Sequence, residues 1–475
     1  MILIITCSNQ KTGTFIISSI EFIDRNGHVK DKIVMPLWTC CLFIVVMNTT
    51  MFNVSLPVII HDLQITSDLG SWVISSYSIG YALSTVIYSR LSDRIPVRKL
   101  LTVGLLILGL SSLFGLFAHS FAILLLTRIL QSAGAGVMAG LGLVIASRYI
   151  PLERRGAAIA LISSGSAMAF GLGPIVGGLI SEYWGWNGLF AITVLVLLAL
   201  PVLLYFLPRE TAKPENPFDM IGAALTVINA TTLLVAITQQ SWLWLAIGVL
   251  SLVVHIVYIR RVSLPFVNPL VFRTPGFSRL LIIGFCVLVV NLGNLFLMPL
   301  VLADLFGRSS LTIGLLIAPG AIVSAFCTRF VGRWIDRYGN MRFLMIGHIL
   351  LAAVLALFML GLNQSALIIT GGYLFFSPAL SASIASLNNE ASRVLPKAQI
   401  GSGMGLLQLI QFFGGSVSVA VCGLMLHGIP GVPVEEAYHV VYGCLLLVCL
   451  VSLVIVVWHN KAARSTSAVT MTGTG

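Results

Sequence analysis

Apolar residues run through this chain in fourteen long blocks separated by short polar or charged segments. Crossing a bilayer takes about 20 mostly apolar residues as a helix. By that measure the blocks fall at 34–56, 70–89, 100–118, 121–144, 157–181, 186–207, 220–238, 241–259, 280–303, 311–331, 342–362, 366–387, 401–426 and 437–458. A backbone in hydrocarbon must bond to itself, so each block is expected to be a helix. The pattern therefore predicts an all-α integral membrane protein. Composition agrees: 58% of residues are hydrophobic, 9% are charged and the mean hydropathy is +1.02. One soluble core does not hide that much apolar surface.

Charge sets the expected orientation. Of the 27 lysines and arginines, only Arg308 falls in one set of alternate loops and only Arg128 falls deep inside a span, Arg329 and Arg342 lying at span ends beside the basic loops. The others lie at the termini or in the opposite set of loops, which the positive-inside rule assigns to the cytoplasm along with both termini. The net charge of +11 is thus a topological signature and not a nucleic-acid surface, because the spans leave no soluble domain to carry one. The eight cysteines form no C-x-x-C pair and no cluster with histidine, so no metal or cofactor is expected. Residues 1–33 read as a cytoplasmic segment without the build of a signal peptide, and Met35 is a candidate alternative start.

The loop after the second block is highly charged, Arg90-Leu-Ser-Asp93-Arg94-Ile-Pro-Val-Arg98-Lys99. Its spacing recurs in Gly332-Arg333-Trp-Ile-Asp336-Arg337-Tyr-Gly-Asn-Met-Arg342, again between a second and third span. The repeat divides the chain into a six-helix half at 34–207 and another at 280–458. A linker with a two-helix insertion fills 208–279, and a tail follows at 459–475. Two parallel pseudo-repeats around a central insertion are a transporter plan, in which substrate binds between the halves.

Five motifs in order carry a resemblance to a known family. They are the charged loop with its repeat, Arg128-Ile-Leu-Gln131-Ser-Ala-Gly-Ala-Gly136, Gly173-Pro174-Ile-Val-Gly177-Gly178, Asn48-Thr-Thr-Met-Phe-Asn53-Val-Ser-Leu-Pro57, and Pro217-Phe-Asp219-Met-Ile-Gly222. Together they resemble the major facilitator superfamily and, within it, the 14-span drug:proton antiporters. Around Asn53–Pro57 and Arg148–Gly156 the chain looks most like the tetracycline exporters of Gram-positive bacteria. Ser89 and Pro96 replace family glycines, Asn48 replaces a family aspartate, and Phe170 and Gly415 occupy two positions that are acidic in those exporters.

The resemblance implies roles for particular residues. Asp93, Arg94, Arg98, Asp336 and Arg337 are the gating loops, where a carboxylate near a helix N-terminus gains about 0.3–1 kcal/mol. Arg128 costs roughly 2.5–3.5 kcal/mol inside a span, so it needs a partner. With Gln131 one turn on, it reads as a proton relay or an anchor for an anion. Gly173, Pro174, Gly177 and Gly178 form a close-packed, bendable seam. The cavity is expected to include Asn48, Met168, Phe170, Asn291, Asn294, Gln408 and Gln411, joining amides to adaptable apolar surface.

None of the 16 acidic residues lies in the middle of a span. Protons would then be carried by Asp93, Asp336 or His348, by the substrate itself, or not at all. Neutral, zwitterionic or anionic amphiphiles suit such an interior better than permanent cations. The leading expectation is a monomeric, proton-coupled exporter of small amphiphilic compounds (multidrug or antibiotic efflux) that works by alternating access in the cell membrane, possessing no nucleic-acid partner. An uncoupled or substrate-coupled carrier of an organic anion or other metabolite is the alternative, and a transport-dead sensor a third. An enzyme is not expected, since no nucleophile–base pair, metal cluster or phosphate loop is present.

Overall fold

The structure, a computed structural model, describes residues 31–208, 219–263, 265–396, 399–427 and 433–472. Most of the N-terminal segment, with the question of the alternative start, and most of the linker lie outside them. The first half comprises α1 (Asp31–Asp62), α2 (Ser67–Leu91), α3 (Val97–Gly115), α4 (Phe121–Tyr149), α5 (Leu152–Trp184), α6 (Gly188–Val194) and α7 (Val196–Phe206). The insertion is α8 (Met220–Thr238) and α9 (Trp242–Ile259). The second half is α10 (Phe277–Asp304), α11 (Ser310–Tyr338), α12 (Asn340–Gly361), α13 (Ala366–Val394), α14 (Ile400–His427) and α15 (Val434–Thr472).

Thirteen helical stretches among the described residues are long and apolar enough to cross a membrane, with α6 and α7 together making one. The expected span at 186–207 is broken at Leu195, where backbone bonds shorten to Leu195 N–Ile192 O and Leu198 N–Leu195 O. The fourteenth expected span, α2, is long enough but too rich in serine to pass on hydropathy. Burial accounts for this, because α2 lies between α4 and α14 and scarcely meets lipid. Two of its hydroxyls find partners across those seams. Ser84 Oγ donates to the Ser132 carbonyl on α4 at 2.7 Å, and Ser75 Oγ donates to the Ser416 carbonyl on α14 at 3.0 Å. Small and hydroxyl side chains let helices approach closely where lipid gives no hydrophobic drive.

The most extensive pairings between the halves are α2 with α14 and α5 with α11, and α1 also meets α10 and α11. Within the first half α1 packs on α5 and α4 on α2 and α3; within the second α12 packs on α13 and α15, and α10 on α14. The inserted hairpin α8–α9 leans on α14 through α8. On α9 only His255 is buried, so the rest of this apolar helix faces outward.

Candidate functional site

A cavity of about 650 Å³ lies between the halves, walled by α1, α2, α4 and α5 on one side and α10, α13 and α14 on the other. At one end it reaches Ser89, Arg90, Phe266, Asn388 and Ser402, beside the basic loops. The opposite end is sealed by close helix packing. There Gly178 of α5 lies against the backbone of Ser310 and Leu311, Gly314 of α11 lies against the Pro174 carbonyl, and Gly423 of α14 lies against Ser67 and Ser71. The Leu311 amide also points at Glu182 Oε2, 3.5 Å away.

Rings and hydroxyls dominate the first-half wall, with Tyr81, Phe170, Ser78 and Thr85. Carboxamides come from the second half, with Asn291, Asn388, Gln408 and Gln411. Among the described residues, Arg90 is the one charged side chain that lines the cavity, and no carboxylate or histidine lines it. Gln411 is buried, and its Nε2 has no protein acceptor. A carboxamide presents a donor beside an acceptor, so this wall suits polar but uncharged edges.

Of the expected cavity residues, Phe170, Asn291, Gln408 and Gln411 line it. Asn48, Met168 and Asn294 do not. Met168 lies on the exposed outer side of α5. Asn294 turns away to α15, where its Oδ1 accepts from Tyr442 at 3.3 Å, because three residues turn a helix about 300° and not a full circle. Tyr81, Arg90, Phe266 and Asn388 were missed. Phe266 sits in a loop that carries no periodic signal.

Asn48 instead belongs to a sealed cluster around Arg128. Arg128 is fully buried, sandwiched between the Phe52 and Tyr77 rings at 4.1 and 4.0 Å from their centroids. Its Nε donates to the Val73 carbonyl at 3.2 Å, and its Nη1 donates to Asn48 Oδ1 and to Gln131 Oε1 at 3.1 Å. Gln131 Nε2 passes the network to Ser112 Oγ at 2.8 Å, and Asn48 Nδ2 passes it to Thr193 Oγ1 at 2.7 Å. Among the described residues every partner is neutral, and Arg128 Nη2 has none. Such a charge is held by dipoles and ring faces and by no counter-ion. Tyr77 stacks on Tyr81, centroids 6.2 Å apart, so one ring separates the cluster from the cavity.

At the basic end Arg148 of α4 donates to the Ser92 carbonyl at 2.7 Å and pairs with Asp93, tying the first charged loop to α4. Arg94 is half-buried in the same loop. Arg98 Nη1 donates instead to the Leu207 carbonyl at 3.0 Å and caps the end of α7. In the second loop Arg337 is exposed beside the Tyr338 ring, and the side chain of Asp336 lies outside the described ones. The glycine motif divides its contacts: Gly173 and Gly177 meet Thr50 and Met51 of α1, whereas Gly178 meets α11. His348 is buried between α12 and α15 with its ring nitrogens on the Leu344 carbonyl and Ser452 Oγ, away from the cavity.

A two-lobed bundle of spanning helices, with a central cavity open at one end and closed at the other, defines a membrane transporter and not an enzyme. The chain belongs to the Major Facilitator Superfamily, whose profile matches residues 38–419. It is 27% identical over 391 residues to a putative multidrug resistance protein, MdtD, of Escherichia coli, covering 80% of this chain and 83% of that one. It is 24% identical over 317 residues to the riboflavin transporter RibZ of Clostridioides difficile, covering 66% and 70% respectively. Among solved structures it resembles a peptide transporter bound to alafosfalin, with TM-score 0.69, 16% identity, and 92% and 96% coverage. A human organic anion transporter is similar in fold, with TM-score 0.61, 17% identity, and 90% and 99% coverage.

Proposed function

We propose that this protein exports small amphiphilic compounds across the cell membrane by alternating access, as a 14-span member of the superfamily related to drug:proton antiporters and tetracycline exporters. The observation that carries the proposal is the cavity between the halves, open beside the basic loops and closed by glycine packing at the other end. With the basic loops and both termini in the cytoplasm, this is an inward-facing form that loads from the inside. The halves at 34–207 and 280–458 rock about the cavity, and 208–279 supplies the linker and insertion. The protein works as a monomer.

In this reading Asp93 and Arg148 form the inner latch, with Asp336 and Arg337 as its second-half counterpart. Pro174 and Gly178 form the seam that closes the outer end, while Gly173 and Gly177 hold α5 against α1. Phe170, Asn291, Gln408 and Gln411 touch substrate. Arg128, Gln131 and Asn48 act behind the wall, through Tyr77, on the shape of the cavity. Substrates are neutral, zwitterionic or anionic, because no lining carboxylate offsets a cation in a low dielectric.

One observation favours a second reading within the same fold. Among the described residues the one charge at the cavity is Arg90, which suits an uncoupled or substrate-coupled carrier of an organic anion or other metabolite. Inverted vesicles with an imposed pH gradient separate the two. Substrate-induced proton release across a panel of neutral, anionic and cationic amphiphiles, lost in Asp93→Asn, supports the antiporter. Uptake of anions alone, with no proton movement, supports the metabolite carrier.

A further inference from the structure

Four residues of the central cavity lie at one depth. Thr49 of α1, Tyr81 of α2, Phe170 of α5 and Asn291 of α10 each stand about 13–14 residues from the sealed end of their helix, roughly 20 Å along it. They form a belt, with the first three on one half and Asn291 on the other.

The polar groups of the belt are within reach of an occupant. Thr49 and Asn291 are half-buried, and neither side chain hydrogen-bonds to another described residue. Gln411 Nε2, by contrast, is enclosed. Ring surface is open as well. Phe170 is 44% exposed where it lines the cavity, and it stacks on no other described ring. Tyr81 is held rigid, with Tyr77 parallel to it and Phe412 edge-on at 5.8 Å.

The belt itself carries no charge. Arg90, the one charged side chain among the described lining residues, lies about nine residues from Tyr81 toward the mouth, roughly 14 Å away. The Arg128 charge behind Tyr77 is already answered by three oxygens and two ring faces. An ion seated in the belt would give up water and meet no free opposite charge.

These groups select the shape and the edge of their occupant. An open ring face favours a second flat π system by more than the area that is buried. A carboxamide sets a donor beside an acceptor, so it forms two parallel hydrogen bonds with an edge that offers an N–H beside a C=O. Asparagine reads an adenine edge by the same kind of pairing. An alkyl chain answers neither group.

We propose that the belt binds an uncharged, flat heteroaromatic ring with a lactam- or imide-type edge, its face on Phe170 and its edge on Asn291. As the substrate class of the exporter this rests on the central cavity being the transport site; as a binding site it does not.

Equilibrium dialysis with full-length protein in lipid nanodiscs tests the site without transport, empty nanodiscs serving as the reference for partition into lipid. The probes share one tricyclic frame: phenanthridinone, N-methylphenanthridinone, phenanthrene-9-carboxylate and N-methylphenanthridinium. Phenanthridinone is expected to bind roughly three- to tenfold more tightly than its N-methyl derivative, which lacks the donor. Asn291→Leu should bring that ratio close to one and leave the N-methyl compound bound as in wild type, which also shows that the variant is folded. Asn291→Ser is the second variant, with the same expected loss of the ratio. Phe170→Leu should weaken both neutral compounds equally and preserve their ratio.

A ratio near one in wild type, or an undiminished ratio in folded Asn291→Leu or Asn291→Ser protein, overturns the edge. Unchanged binding in Phe170→Leu overturns the ring contact. Carboxylate or quaternary cation bound as tightly as phenanthridinone overturns the uncharged class. The expected binding pattern in a protein that moves no amphiphile in vesicles would retire the exporter and leave the site standing; transport without that pattern would do the reverse.

Discussion

Arg128 donates to Asn48 Oδ1, so the guanidinium inside the first half is answered by a carboxamide where a carboxylate would give an ion pair. The Asn48 amide is in turn occupied by Thr193. Removing Asn48 leaves a buried donor and a buried hydroxyl unpaired, a loss of about 1–3 kcal/mol. Asn48→Ala should therefore lower the thermal midpoint in detergent. Asn48→Asp should keep the fold and add a titratable group beside Arg128. Substrate-induced proton release that is stronger in Asn48→Asp than in wild type would show that the carboxamide limits coupling; an unchanged signal would contradict this.

Two glycines on different helices should fail in different ways. A Cβ at Gly136 would overlap the backbone of Thr85 within the first half, whereas one at Gly178 would overlap the Ser310 carbonyl across the halves. Gly136→Ala is expected to destabilise the fold by about 1–3 kcal/mol as overpacking does. Gly178→Ala should leave the thermal midpoint near wild type and open the sealed end. Maleimide labelling of an Asn291→Cys reporter from the side opposite the basic loops would reveal the opening.

The Asp93–Arg148 pair is mostly solvated, with side chains 62% and 34% exposed. Pairs of that kind contribute about 0–1 kcal/mol. Asp93→Asn should consequently change stability by less than about 1 kcal/mol while lowering transport. Arg148→Ala should do the same, and the double variant should be no worse than either. A large fall in thermal midpoint would instead make the pair a folding element.

Asp219 links the insertion to the cavity mouth. Its carboxylate caps α8 at the Gly222 amide (2.8 Å) and accepts from Tyr258 (2.6 Å) and from the Phe266 amide (2.8 Å). Burial pushes this carboxyl up, but the three hydrogen bonds outweigh it and hold it below its ordinary value of 3.8. A depressed carboxylate stabilises fully above the ordinary value and loses that contribution as the pH falls through the depressed one. The hairpin should therefore stay docked at neutral and mildly acidic pH and loosen only below about pH 4. Asp219→Asn should loosen it at all pH values, read as faster labelling of a Phe266→Cys reporter.

Much of this molecule was legible because lipid imposes simple rules on a sequence. Span positions followed from length and hydropathy, and Asn291, Gln408 and Gln411 were conspicuous as amides inside apolar runs. Partnerships between distant helices were not legible. Nothing near Arg128 in the chain announces that Phe52 and Tyr77 clasp it, or that the Val73 carbonyl receives its Nε. Asn294 looked like Asn291, yet a turn of about 60° between their directions was enough to send it to Tyr442. Phe266 carried no signal, because its place depends on a carboxylate 47 residues earlier.

The serine-rich face of α2 has a consequence for biogenesis. A segment too polar to partition into lipid alone gains little from leaving the translocon on its own. Its seats are α4, made later, and α14, made near the end of synthesis. During translation α2 must therefore wait, shielded by α1 or by the insertion machinery, until those surfaces arrive. Of the early helices, α2 is the last to find its place.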